Sequence, residues 1–445
     1  MRVVALVDGE HYPAVTRWGV DAARTLGHDV LAAVFVGGSE KIDVRAPPDL
    51  GVRTIHPETG GGVERTLAAV LEELRPDAVL DLSDEPVLGY RERLELAARV
   101  LVLGIAYLGA DFRLDPPLSG EPLSAPTVAV IGTGKRTGKT AICAAAARVA
   151  AASGVAPVVV AMGRGGPPEP EVAEPGTVTL AGLEDLARSG RHAASDYLED
   201  AVTAGVPTIG ARRVGGGLAG APFASNVRAA AELAARRRPG VVLLEGSGAC
   251  IPPVPWDAGI LVVPASAPPE YLGGYLGPLR LLLSDLVVFT MAASPTEGLA
   301  SLPALKSHVQ RIRGDARFVV TDFRPVPMGE VRGRDVFFAT TAPQPAAARQ
   351  VAHLESAHGC RVVGWSARLA DRARLARDLD EAPSYDVLLT ELKAAAVDVA
   401  SERAGARGAE VVFVDNRAEI VEGDGDLAEE LAATVDLAVE RSRSR

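Results

Sequence analysis

Val128-Ala-Val-Ile-Gly132-Thr133-Gly134-Lys135-Arg136-Thr137-Gly138-Lys139-Thr140 is an apolar run feeding a glycine-bearing turn, and the Ala-rich stretch from Ala141 to Ala152 follows it. Strand, loop and helix in that order are the context a phosphate-binding loop needs. Glycines let several backbone N–H groups converge on phosphate oxygens, and the helix turns its positive N-terminal end toward the anion. On this reading Thr133 to Thr140 cradle a nucleotide, with Lys135 and Arg136 at the tip of the loop. Lys139 reaches the terminal phosphates from a solvated cleft, and the Thr140 hydroxyl ligates Mg²⁺. The pattern departs from the usual one at a single place, since Thr133 stands where a glycine is customary.

Working outward, Val241-Val-Leu-Leu-Glu245-Gly-Ser-Gly248 is an apolar strand that ends in a carboxylate and a tight turn. A buried strand delivering an acid to its C-terminal edge is how such folds bring a carboxylate to Mg²⁺ beside phosphates, so Glu245 is the second expected metal ligand. The chain contains no Asn-Lys-x-Asp, which argues against guanine specificity and favours ATP.

The 445 residues allow two or three domains. Residues 1–124 alternate apolar strands (Val3–Val7, Val30–Val36, Ala78–Leu82) with helical periodicity (Ala14–Leu26, Val63–Leu74, Arg91–Leu103), which predicts an N-terminal Rossmann-like α/β domain with a parallel sheet. A Pro-rich linker, Asp115 to Pro126, leads into a P-loop nucleotide-binding domain over 125–345. Strands are expected there at Thr127–Ile131, Val158–Ala161, Val241–Glu245, Gly259–Val263 and Leu286–Thr290, and a further series begins at Arg317–Thr321. Further strand and helix signals over 346–445 predict a C-terminal α/β extension, either continuing the central sheet or standing apart from it.

Nearly half of the residues are apolar, yet no uncharged stretch is long enough to span a membrane. The net charge of −11 and the absence of basic runs argue against a nucleic-acid partner. Cys143, Cys250 and Cys360 are far apart without metal-ligand spacing, as in a reduced, cytoplasmic protein. The partner implied is a small phosphorylated acid, and a homo-oligomer is compatible with the sequence. Of 46 basic residues only five are lysine, at 41, 135, 139, 306 and 393. Two of them lie in the phosphate loop, which draws attention to Lys41 and Lys393.

Ligands of parallel sheets sit beyond the C-terminal ends of strands, and that rule selects the remaining loops. Asp8-Gly-Glu10-His11-Tyr-Pro13 packs acids and an imidazole together; Asp8 also suits a turn-capping role, while Asp8, Glu10 and His11 are candidates for substrate binding. Arg164 is a candidate phosphate clamp, with Glu169 and Glu171 as second carboxylates for the metal. Ile209 to Gly217 places Arg212 and Arg213 before three glycines and reads as a flexible anion-binding loop or lid. Arg212 is expected to contribute directly to substrate affinity. Glu391 and Lys393 follow an apolar strand and complete the substrate-binding set.

The loop and the Glu-Gly-Ser-Gly turn resemble those of dethiobiotin synthetase and its P-loop relatives. Together with Val7-Asp-Gly-Glu-His-Tyr-Pro13, Val36-Gly-Gly-Ser-Glu-Lys41 and Thr390-Glu-Leu-Lys-Ala-Ala-Ala-Val-Asp398, they resemble the cyclic 2,3-diphosphoglycerate synthetase family over nearly the whole chain. The resemblance implies a ligase that uses ATP and Mg²⁺ to close an intramolecular phosphoanhydride in 2,3-bisphosphoglycerate. Lys139, Lys135, Arg136 and Glu245 would then be its catalytic groups, and Thr140 and Glu245 its metal ligands. Two alternatives keep the phosphoryl transfer without the ring: a 2-phosphoglycerate kinase, and a carboxylate-activating ligase nearer to dethiobiotin synthetase. A nucleotide-switched, partner-binding ATPase is disfavoured. Gly134 stands where the partitioning ATPases carry their signature lysine, and no Cys/His cluster marks a metallochaperone.

Overall fold

A computed structural model of the chain describes residues 1–42, 48–57, 62–190, 193, 195–292, 301–393, 396–422 and 425–445. The first sheet takes β1 (Arg2–Val7), β2 (Asp29–Phe35), β3 (Arg53–Ile55), β4 (Ala78–Asp81), β5 (Ala106–Leu108) and β6 (Arg113–Leu114) in the order β3-β2-β1-β4-β5-β6. All pairs are parallel except β5–β6. Helices α1 (Pro13–Thr25), α2 (Gly62–Leu74) and α3 (Tyr90–Val102) begin and end within one residue of the periodicity read from the sequence. The short strands β3 and β5 have too few residues to show a period.

The second sheet holds β7 (Thr127–Gly132), β8 (Pro157–Gly163), β9 (Glu171–Ala173), β10 (Thr208–Val214), β11 (Ala224–Ser225), β12 (Val241–Glu245), β13 (Ala258–Pro264), β14 (Leu286–Thr290), β15 (Arg317–Pro327), β16 (Asp335–Ala339), β17 (Arg361–Ser366), β18 (Val387–Thr390) and β19 (Glu410–Glu422). Its core order is β10-β8-β12-β7-β13-β14-β15, parallel throughout. β7, β8 and β12 are buried along their whole length, as expected of strands covered on both faces. On one face lie α4 (Lys139–Ala152), α6 (Asp196–Thr203) with α5 (Leu180–Arg188) packed beside it, and the C-terminal helix Leu427–Arg443. The other face is covered by α7 (Val227–Arg236) and the helices that follow.

The long strand β19 joins the extension to this core. Its second half pairs antiparallel with β15, and its first half pairs parallel with β18, which continues to β16 and β17. The strands beyond residue 330 therefore continue the central sheet. The linker is also packed down: Leu123 and Ala125 enter the core of the nucleotide-binding region, and Arg228 donates to the Glu121 carbonyl at 2.5 Å.

The two sheets meet through apolar contact. Val36 and Leu88, beyond the C-terminal ends of β2 and β4, share a cluster with Ala219, Leu276 and Leu279. Arg311 pairs with Glu95 of α3 at 2.8 Å. The C-terminal edge of the first sheet is thus turned toward the segment that follows β10.

Candidate active site

The phosphate loop leaves β7 and enters α4 through Gly138, whose φ of +95° is left-handed and whose absent Cβ would lie 2.4 Å from the Phe323 ring. Thr290 on β14 donates to the Thr137 carbonyl at 2.8 Å, which ties the loop to the end of that strand. Thr133 and Gly134 are half-buried, while Lys135 and Arg136 stand exposed at the tip, Arg136 at φ +61°.

Lys139 does not face solvent as the sequence suggests. It is buried and folds back to donate to the Gly134 carbonyl at 2.8 Å and to Thr137 Oγ1 at 3.3 Å. The loop closes over the first turn of α4, so the ammonium meets the loop's own carbonyl and hydroxyl. Burial pulls its pKa down to about 8, with Glu245 acting the other way.

β12 delivers Glu245 beside α4, where the Thr140 hydroxyl donates to its Oε1 at 2.7 Å. Burial pushes the Glu245 carboxyl up to about 7, and the negative charge of Asp196 adds to the effect. Asp200, entirely buried on α6, lies against Glu245; burial holds it well above the usual carboxylate range. As ions, neither Asp200 oxygen nor Glu245 Oε2 would have a donor. A proton on Asp200, donated to Glu245, resolves both.

The sequence alone does not single out these acids. Asp196, Glu199 and Asp200 occupy positions i, i+3 and i+4 of one short helix and share a face. That spacing was the available signal, but it looks like an ordinary acidic first turn until β8, β10 and β12 are known to be neighbours. The expected second carboxylates lie elsewhere. Glu171 sits on β9 at the sheet edge, where β9 pairs antiparallel with β10 and Tyr197 Oη donates to the Glu171 carboxylate at 3.1 Å; Glu169 is exposed.

The two arginines of β10 part company because adjacent strand residues face opposite ways. Both arginines lie within strand β10 rather than in a flexible loop, and the three glycines follow the strand's end at Val214. Arg213 is buried and donates to the Gly215 carbonyl and the Ser247 carbonyl, each at 2.8 Å. Arg212 donates through Nε to the Gly166 carbonyl at 3.0 Å and so braces the loop after β8. That loop carries Arg164. A Cβ on Gly248, which has φ +60°, would lie 3.1 Å from Arg164 Nη2 and 3.2 Å from Arg213 Nη2. Two guanidiniums therefore converge on the turn three residues past Glu245, and neither has a carboxylate partner among the described residues.

Lys393 reaches the same region, its Nζ 2.9 Å from Glu199 Oε1. Burial opposes its charge, yet Glu199 and Glu391 hold it above the ordinary lysine range. Glu391 itself is a clasp. It accepts from Thr340 Oγ1, the Thr341 amide and hydroxyl, and Asn416 Nδ2, which occupies its oxygens within the extension. Residues 394 and 395 of this motif lie outside the described residues.

The Asp8 loop belongs to the first sheet. Asp8 Oδ1 accepts from the Glu10 and His11 amides and lies 2.9 Å from His11 Nδ1, and Oδ2 accepts from the Asp84 amide. Asp8 thus caps its own turn and pins the loop after β4, while Glu10 and His11 remain half-buried at its rim. Lys41 lies over the Tyr12 ring and pairs with Glu40.

Models of three cyclic 2,3-diphosphoglycerate synthetase regions match the chain: the N-terminal domain over 2–115, the P-loop domain over 127–322 and the C-terminal domain over 327–417. A protein of that name from Rubrobacter xylanophilus is 47% identical over 423 residues, covering 94% of each chain. One from Methanothermus fervidus is 40% identical over 449 residues, covering 99% of this chain and 98% of the relative. The chain belongs to the cyclic 2,3-diphosphoglycerate synthetase family. It is therefore a P-loop enzyme that uses a nucleotide, and the loop, the Glu245 strand and the extension described above are parts of that family's architecture. Among the described residues no helix is long and apolar enough to cross a membrane.

Proposed function

We propose that this enzyme couples ATP cleavage, with Mg²⁺, to ring closure in 2,3-bisphosphoglycerate, giving cyclic 2,3-diphosphoglycerate, ADP and phosphate. The observation that carries the reading is the convergence of Arg164 and Arg213 on Gly248, beside the Thr140–Glu245 pair. Guanidiniums next to a phosphate loop, with no carboxylate partner among the described residues, suit a second, polyanionic reactant.

The residues present fit a magnesium ion. Among the described residues no three acidic, His or Cys side chains form a ready-made cage, and Mg²⁺ commonly takes only one or two protein groups in addition to phosphates and water. Thr140 and Glu245 are the groups that would hold it, with Asp196 and Asp200 at hand behind Glu245. When bound, it would supply charge neutralisation at the transferring phosphoryl group. Lys139 binds the terminal phosphates, exchanging its bond to the Gly134 carbonyl for one to phosphate oxygen. Arg164 and Arg213 orient the substrate so that one of its phosphate oxygens attacks the terminal phosphorus of ATP. The bond from that phosphorus to the β–γ bridging oxygen breaks, and the electron pair leaves with ADP. The second phosphate of the substrate then attacks the inner phosphorus of the new diphosphate, forming the ring and expelling inorganic phosphate. Both steps gather negative charge, which is why cations crowd the site.

Phosphorus NMR of enzyme, ATP, Mg²⁺ and 2,3-bisphosphoglycerate tests the reading. ADP, phosphate and a cyclic product should form in equal amounts. ADP without phosphate would point to a kinase, and ATP hydrolysis indifferent to the substrate would overturn the proposal.

A further inference from the structure

We infer that Lys393, supplied by the C-terminal extension and positioned by Glu199, is the second catalytic cation of phosphoryl transfer, so that the extension completes the active site from within the same chain. The inference deepens the functional reading above and rests on its transfer step.

Three observations place this ammonium. Its Nζ lies 2.9 Å from Glu199 Oε1, on the α6 face that also presents Asp196 and Asp200 to Glu245. Its charge reaches Lys139 itself, as does that of Arg213. The two residues that precede it are fixed. Glu391 is clasped by Thr340, Thr341 and Asn416, and Leu392 is buried in a cluster with Tyr197 and Leu198 of α6. A lysine that follows two anchored residues and is held by Glu199 on the acidic face of α6 is not a freely solvated surface group.

The chemistry asks for such a cation. As the terminal phosphoryl leaves ADP and joins a substrate phosphate, its charge spreads over three oxygens flanked by other anions, and Lys139 is one ammonium. Burial raises Glu199 while Lys393 lowers it; the 2.9 Å contact, with Glu391 as a second acid, keeps the proton on Lys393. Glu199 is a positioning residue: it holds the ammonium until a phosphoryl oxygen replaces it. Lysine suits this better than arginine, whose fork would lock onto the carboxylate. In a chain with five lysines among 46 basic residues, that choice is informative.

The test is steady-state kinetics on full-length Lys393→Met, Lys393→Arg, Lys393→Ala and Glu199→Gln, with circular dichroism and thermal melts to establish folding. Lys393→Met should lower kcat about 10²–10³-fold, leaving KM for ATP and for 2,3-bisphosphoglycerate within about threefold, the mark of an interaction made in the transition state. Lys393→Arg should recover part of the loss, and added propylammonium should restore activity to Lys393→Ala in a saturable manner. Glu199→Gln should cost about tenfold in kcat and add nothing to Lys393→Met, as expected of two groups acting as one unit. A folded Lys393→Met that turns over normally would overturn the inference. So would a rise confined to KM, or an amine that restores nothing. The wild type in the same assay reports on the functional reading separately: without cyclic product that reading fails, and an unchanged rate of ATP cleavage in Lys393→Met still decides against the role given to Lys393.

Discussion

The Thr140 hydroxyl donates to Glu245 Oε1 at 2.7 Å, tying the first turn of the phosphate-loop helix to the end of the adjacent strand. Behind that bond Asp200 lies against Glu245 in a fully buried setting, and burial holds its carboxyl well above the usual carboxylate range. The arrangement is destabilising for a protein without its ligands, and the destabilisation is what makes it a site.

Glu245→Gln makes this measurable. Burial raises the Glu245 pKa from 4.5 to about 7, so the folded protein holds this proton more tightly than the unfolded chain does. That contribution to stability is present below about pH 4.5 and is lost as pH rises through about 7. Glutamine has no proton to lose. Above pH 7 the variant should be more stable than the wild type by about 1–3 kcal/mol and melt at a correspondingly higher temperature, and the gap should narrow at pH 5. The same variant should need more Mg²⁺ for activity. Thermal melts of nucleotide-free protein across this range would show a pH-independent gap if the environment of Glu245 has been misjudged.

Lys139→Met should behave in a related way. Its pKa is lowered to about 8 by burial, so below pH 8 the folded protein carries the cost of a buried charge, a cost relieved as pH rises toward the unfolded value. Removing it should leave the Tm at pH 7 unchanged or raised while turnover falls about 10²–10³-fold. Near-normal activity in the folded variant would contradict the loop assignment.

Gly248→Ala and Arg212→Ala separate the two arginines of β10. A methyl at Gly248 would press on both Arg164 and Arg213, and the φ of +60° adds backbone strain. KM for 2,3-bisphosphoglycerate should rise at least about tenfold, with KM for ATP little changed. Arg212→Ala should do less, because its guanidinium braces the Gly166 carbonyl and acts on Arg164 only through the loop. Initial-rate measurements with each substrate varied in turn would reveal the opposite ranking if Arg212 were the direct ligand.

The sequence made some of this site legible and hid the rest for identifiable reasons. The glycine loop and the strand ending in Glu245 act within short contiguous segments, so their chemistry shows in one dimension. Asp196, Glu199 and Asp200 acquire meaning only when β8, β10 and β12 are adjacent, which depends on strand order. Arg212 and Arg213 look equivalent until the segment is known to be a strand, after which alternation sends them to opposite faces. Glu391 and Lys393 look like one motif, yet Glu391 turns back into the extension and Lys393 turns forward to α6. The long strand β19, which joins the extension to the core, reads in sequence as a strand only over its first five residues, because Asp415 to Glu419 interrupt the apolar pattern.

The central claim is that phosphate departs carrying an oxygen of the substrate. If the terminal phosphoryl group of ATP is first attached to a substrate phosphate and then expelled by ring closure, each released phosphate takes one oxygen from the substrate. With 2,3-bisphosphoglycerate labelled with ¹⁸O in its phosphate groups and ATP unlabelled, phosphorus NMR or mass spectrometry should find one ¹⁸O in the released phosphate. Phosphate whose fourth oxygen comes from water would contradict the account.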